Sequence, residues 1–203
     1  MSLTVNDKEY TSKQVSDAIH SGNINYYNAG QTNELTETDM NDIIAYAKTN
    51  GIEIIPLLNS PGHMDAILDA AEALTGKTCS YNGSARTIDV TNSTAVAFTQ
   101  ALIQKYIDYF AGNCKYFNIG ADEYANDKTN GFSALISSNK YGSFVSYVNS
   151  IADAITSAGM TPMAFNDGIY YNSNTSGGTF NRNIVVCYWT SGWNGYSPAA
   201  ATF

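Results

Sequence analysis

Three amphipathic stretches of helical length in this sequence each run into a glycine and then into a short apolar run. Met40, Ile43, Ile44 and Ala47 lead through Gly51 to Ile52–Leu58; Phe98, Leu102, Ile103, Tyr106 and Phe110 lead through Gly112 to Cys114–Ile119; Phe144, Val148, Ile151 and Ile155 lead through Gly159 to Thr161–Phe165. The spacing of three and four puts the apolar residues of each stretch on one helix face, and the runs that follow are too short for helices and read as buried strands. A glycine between them suits the left-handed residue that commonly ends a helix. Thr36 with Asp39 three positions on predicts the N-cap of the first helix. A further helix is predicted at about Met64–Leu74, and a fourth strand at Ile184–Tyr188, after a Gly/Ser/Asn-rich loop over Tyr171–Asn183. Tyr124–Asn139 reads as loop.

Strands alternating with helices of this length build parallel βαβ units with right-handed crossovers. No glycine-rich phosphate loop of a doubly wound sheet is present, and the chemically interesting residues gather at the carboxyl ends of the strands. The expected fold class is therefore α/β, a (β/α)8 TIM barrel. Four strands cannot close such a barrel, so the chain is expected to cover its middle strands and helices. Residues 35–203 would hold the βα units. Residues 1–34 are polar, with only Val15, Ala18 and Ile19 hinting at a short helix, and read as a surface excursion.

Composition narrows the partners. A net charge of −8 and the lack of any Lys/Arg cluster argue against nucleic acid, whose phosphates need basic contacts, and against anionic membrane surfaces. No apolar run is long enough to insert in a membrane. Only 14% of residues are charged, and the polar surface is rich in Asn, Ser, Thr and Tyr, as suits a secreted or cell-surface protein that handles neutral ligands. Residues 1–10 are polar and carry no signal peptide, so an export signal is expected outside this chain. Cys79, Cys114 and Cys187 are far apart and odd in number, which suggests neither a disulfide framework nor a zinc site, and the last two are expected to be buried thiols. No metal or organic cofactor is implied.

The strand ends carry His63, then Asp122 with Glu123, then Asn166 with Asp167, then Trp189 and Trp193. An Asp-Glu pair also suits the first turn of a following helix, where the dipole favours acids. Similar polar and aromatic loads at the other strand ends favour a site. Carboxylic acids beside flat aromatic faces are what a sugar requires: a proton for the leaving oxygen and platforms for the pyranose ring. Ordinary glycosidases set two carboxyls on opposite sides of the scissile bond, roughly 5 to 9.5 Å apart. Adjacent residues fit that arrangement poorly. They fit substrate-assisted hydrolysis better, where one carboxyl protonates the glycosidic oxygen and the other grips the 2-acetamido group that serves as nucleophile.

Two stretches carry a resemblance. Ile54-Ile55-Pro56-Leu57-Leu58-Asn59-Ser60-Pro61-Gly62-His63 resembles the strand-plus-PGH motif of glycoside hydrolase family 20, the β-N-acetylhexosaminidases, and Phe117-Asn118-Ile119-Gly120-Ala121-Asp122-Glu123 resembles its catalytic Asp-Glu strand. The likeness runs from about Leu35 to Trp193, and Met163–Gly168 is similar in flavour to cell-surface hexosaminidases and lacto-N-biosidases of Gram-positive bacteria. The resemblance implies that Glu123 is the general acid/base and that Asp122 binds the acetamido N–H. It implies that His63 supports the carboxylates or a sugar hydroxyl and that Trp189 walls the acetamido pocket. Asn166, Asp167 and Trp193 are further candidates for substrate binding. The implied activity is a retaining exo-glycosidase acting on glycans with terminal β-linked N-acetylhexosamine; release of a disaccharide and a non-catalytic glycan-binding fragment stay open. The family's substrate-binding Arg lies on an earlier strand and its Tyr and last Trp on later ones, and Phe165 stands where many members have Trp. The DxxDxDxE strand of family 18 chitinases is absent.

Overall fold

The structure, a computed structural model, describes residues 2–27, 34–128 and 130–191. The N-terminal segment is not a surface excursion. β1 (Leu3–Val5) and β2 (Lys8–Tyr10) form an antiparallel hairpin with Leu3 opposite Tyr10. Asn6 and Asp7 both adopt positive φ in the two-residue connection, the conformation whose twist matches a tight hairpin. Leu3, Val5 and Tyr10 are buried, which commits the hairpin to the core. α1 (Ser12–Tyr27) follows. Thr11 and Gln14 cap it reciprocally: the Gln14 side chain accepts from the Thr11 backbone N–H at 2.9 Å and Thr11 Oγ1 accepts from the Gln14 N–H at 3.3 Å.

α2 (Glu37–Thr49) begins at Thr36 with the predicted capping box to Asp39. Its apolar stripe is only partly covered: Ala47 is buried, Met40 and Ile44 are half-buried, and Ile43 is exposed. β3 (Leu57–Ser60) starts later than the apolar run suggests. Residues 52–56 approach it without laddering, apart from Pro56 O, which accepts from the Asn118 N–H at 2.8 Å. α3 (Asp65–Thr75) and α4 (Ser93–Phe110) then lead to β4 (Tyr116–Gly120). Asn92 caps α4 through the N–H groups of Thr94 and Ala95.

The stretch read as loop after β4 contains a short helix, α5 (Gly131–Ser137), started by the side chain of Asn130. α6 (Tyr141–Ser157), β5 (Thr161–Phe165) and β6 (Val185–Cys187) complete the order. The four strands β3-β4-β5-β6 lie side by side in sequence order, and all three pairings are parallel. Neighbouring in sequence order is what successive βα units of a barrel give; a doubly wound sheet reverses direction at a switch point. β4 is almost wholly buried. α6 packs against β4 and β5, Phe110 of α4 meets Phe117 of β4 edge-on, and Phe98, Leu102, Phe144, Val148 and Ile151 join the same buried core. Cys114 is buried and Cys187 only half-buried, both as free thiols.

α1 crosses α3 at Gly22, where a Cβ would stand 2.4 Å from the carbonyl oxygen of Ala66. Gly22→Ala should therefore lower the unfolding free energy by about 1–3 kcal/mol through overpacking, against the gain in helix propensity that alanine brings. Denaturant unfolding of the two forms checks this; an unchanged or raised stability would contradict the close crossing.

Candidate active site

At the carboxyl end of β4 the chain turns through Gly120, Ala121 and Glu123, with φ of +79°, +65° and +48°. Positive φ at non-glycine residues costs of order 1–3 kcal/mol each and collects at functional sites. The turn after β3 lies against this one. A Cβ on Gly62 would sit 2.8 Å from the carbonyl oxygen of Asp122, and one on Gly120 would run into the Asn59 side chain. Glycine at both positions lets the two turns close on each other. His63, itself at φ +53°, then lies beside both carboxylates, with Nε2 3.2 Å from Glu123 Oε2 and 3.6 Å from Asp122 Oδ2.

Two side-chain amides also hold the carboxyl groups, one on the Asp122 oxygen turned away from His63 and one on the same Glu123 oxygen that His63 faces. Asn59 Nδ2 donates to Asp122 Oδ1 at 2.8 Å, and Asn126 Nδ2 donates to Glu123 Oε2 at 2.6 Å. These contacts fix the direction of both carboxyl groups. Sequence reasoning passed over both asparagines. Asn59 ends the apolar run of its strand and could have been found there; Asn126 is one of many asparagines in polar loops and carries no signal. His63, Asp122 and Glu123 each offer one ligand atom within 4.8 Å of the others, the span of a possible cation site.

β5 and β6 supply the other wall. Asn166 is fully buried, and its side chain accepts from the N–H groups of Trp189 at 2.9 Å and Thr190 at 3.3 Å while donating to Thr190 O at 2.7 Å. It continues the sheet pairing beyond the last residues of both strands. Asp167 accepts from the Glu123 backbone N–H at 2.9 Å through Oδ2 and from Trp189 Nε1 at 3.0 Å through Oδ1. Burial pushes its pKa up to about 6, the charge of Asp122 adds to the rise, and the two N–H donors oppose it. Trp189 is 47% exposed, and its ring meets Phe165 edge-on at 6.4 Å.

Of the candidates from sequence, His63, Asp122, Glu123, Asn166, Asp167 and Trp189 thus join in one connected set across four strand ends. Asn166 and Asp167 reach it through contacts with other protein groups. Trp193 lies outside the described residues. Such a set pairs a proton donor and acceptor with an exposed aromatic face.

The sheet order, with these residues gathered at the carboxyl ends of the strands, is that of an α/β barrel. The family model for the glycosyl hydrolase family 20 catalytic domain matches residues 6–202, and the chain belongs to that family. Its catalytic domains are (β/α)8 barrels, of which the four parallel strands form an arc. The chain is 40% identical, with a TM-score of 0.95, to a structure from the tandem catalytic modules of the pneumococcal exo-β-D-N-acetylglucosaminidase StrH, covering all of this chain and 50% of that one. It is 30% identical over 164 residues to a lacto-N-biosidase of Bifidobacterium bifidum, covering 76% of this chain and 14% of the biosidase. To β-hexosaminidase subunit A1 of Dictyostelium discoideum it is 29% identical over 168 residues, covering 76% of this chain and 29% of that subunit. The chain therefore spans half of the StrH structure and less than a third of either curated relative.

The raised pKa of Asp167 has a consequence for stability. A carboxyl that titrates at 3.8 unfolded and at about 6 folded holds its proton more tightly in the folded state. Its contribution is fully present below pH 4 and is lost as pH rises through 6, a change of about 3 kcal/mol. Unfolding free energies measured from pH 4 to 7 should fall with pH in the wild type relative to Asp167→Asn. Parallel curves would contradict the burial of an ionisable group there.

Proposed function

We propose that this chain carries the acid/base and acetamido-binding part of a retaining exo-glycosidase, which removes terminal β-linked N-acetylhexosamine by substrate-assisted hydrolysis. The observation that carries the reading is the adjacent pair Asp122 and Glu123, both beside the same His63 nitrogen and each held by a separate amide. Two carboxylates so placed act on one side of a sugar and do not flank it. The proton donor is Glu123, which protonates the glycosidic oxygen as the bond to the anomeric carbon breaks. The acetamido oxygen attacks that carbon and forms the new bond, and Asp122 accepts the acetamido N–H and stabilises the positive charge that develops. Glu123 then takes a proton from water as the water oxygen bonds to the anomeric carbon and the bond from that carbon to the acetamido oxygen breaks, which leaves the product with retained configuration. Trp189 presents its exposed indole as a wall for the acetamido methyl.

The sequence similarity to StrH supports removal of a single N-acetylglucosamine, and that to the lacto-N-biosidase supports a second reading, release of a disaccharide. Among the described residues no helix is long and apolar enough to cross a membrane, and the low charge with abundant Asn, Ser, Thr and Tyr supports a secreted or surface location.

Hydrolysis of p-nitrophenyl β-N-acetylglucosaminide tests the reading. Glu123→Gln should lower kcat by about 10²–10⁴-fold, and Asp122→Asn should do the same while sparing binding. The corresponding β-glucoside, which lacks the acetamido group, should not turn over. Unchanged hydrolysis by Glu123→Gln would refute the assignment, and binding of N-acetylglucosamine without any turnover would mark a glycan-binding module instead.

A further inference from the structure

We propose that Asp167 is a positioning residue whose two carboxylate oxygens tie the backbone of Glu123 to the indole of Trp189, so that proton donor and acetamido wall are held as one unit. This rests on the roles given above to Glu123 and Trp189. Asp167 follows β5, which lies between β4 and β6 in the sheet, so its carboxylate stands between the two elements it connects. Each oxygen receives one N–H. The Glu123 N–H belongs to a residue at φ +48°, and its bond to Asp167 holds that uncommon conformation. The Trp189 N–H lies on the edge of a ring that is otherwise half exposed, so the bond fixes the ring's rotation. With Asn166 on the Trp189 backbone, two consecutive residues fix both the main chain and the side chain of Trp189.

Only a carboxylate meets both demands. An ionised aspartate accepts on both oxygens without donating, whereas asparagine offers one accepting oxygen and turns an N–H₂ toward the second donor. Packing alone gives no reason for the acid. The site is buried and the carboxylate faces the like charge of Asp122, so ionisation there is disfavoured. An acid kept under those conditions is accounted for by the pair of N–H groups it serves.

Asp167→Asn in the protein that carries this sequence separates this role from a structural one. On p-nitrophenyl β-N-acetylglucosaminide, kcat should fall about 10- to 100-fold with KM changed less than about threefold, the size expected when one buried N–H loses its acceptor. The unfolding midpoint at pH 7 should stay within a few degrees of wild type or rise. The Glu123 amide proton in an ¹H–¹⁵N spectrum should move upfield. Trp189→Phe, which keeps a ring but removes the indole donor, should also move the Glu123 amide through the shared carboxylate, and the double variant should lose less kcat than the product of the single losses. A kcat within twofold of wild type, or a Glu123 amide unmoved in both variants, would overturn the proposal. The amide readout needs no turnover, so it decides the strut even where Glu123→Gln shows the functional reading to be mistaken.

Discussion

Everything at the candidate site depends on β4 being held in parallel register between β3 and β5. The pairing places Ser60 level with Gly120, and Asn118 level with both Leu57 and Met163, so the chain leaves all three strands on the same side of the sheet. Parallel strands require a long crossover each, and the helices that supply it are the ones whose apolar faces bury the sheet. The same burial that stabilises the fold therefore brings the turns after β3, β4, β5 and β6 together. Gly62 and Gly120 set the distance of closest approach. Any side chain at either would push the His63 turn away from the carboxylates.

The site sets two carboxyl groups, of Asp122 and Glu123, beside one imidazole, with a third, of Asp167, on the backbone N–H of Glu123. In water such a cluster would be unremarkable. Here it is partly buried, and neutral donors share the task of holding it: the amides of Asn59 and Asn126, a backbone N–H and an indole N–H. Fixed dipoles of this kind suit a reaction in which positive charge develops on the substrate, because they orient the carboxyl groups in advance. The arrangement opposes folding at neutral pH through Asp167 and through the left-handed turn at Glu123. The aromatic core below, in which Tyr124, Phe132 and Phe144 contact one another, lies next to that turn and opposes its relaxation.

Much of this was legible in the residues because the barrel units are long and regular. The run Thr161–Phe165 is bounded by Gly159 and Asn166 and coincides with β5. The capping box at Thr36 and the stop at Gly112 likewise mark real helix ends. The hairpin at the start leaves little trace in the sequence because each of its strands is three residues long, too short for alternation to stand out, and the Thr11/Gln14 box that starts α1 lies in a polar stretch. α5 escaped for a similar reason: seven residues give no measurable period, though Asn130 is an ordinary N-cap. The run Ile52–Leu58 starts well before β3 because it reports apolarity and not pairing. At the site, sequence supplied the strand ends but not their wiring. That Asn166 and Asp167 turn inward to Trp189 and Glu123 follows from the spacing of β5 and β6, which no local pattern encodes.

That the acetamido oxygen is the nucleophile is tested most directly with a series of p-nitrophenyl glucosaminides carrying N-acetyl, N-fluoroacetyl, N-difluoroacetyl and N-trifluoroacetyl groups. Fluorine withdraws electrons from the carbonyl oxygen and leaves the sugar and leaving group unchanged. The account predicts that log kcat/KM falls steeply and regularly along the series, since the attacking atom weakens at each step. A flat series would show that an enzyme carboxylate or water attacks the anomeric carbon, and would contradict the pairing of Asp122 with Glu123 as acetamido holder and proton donor.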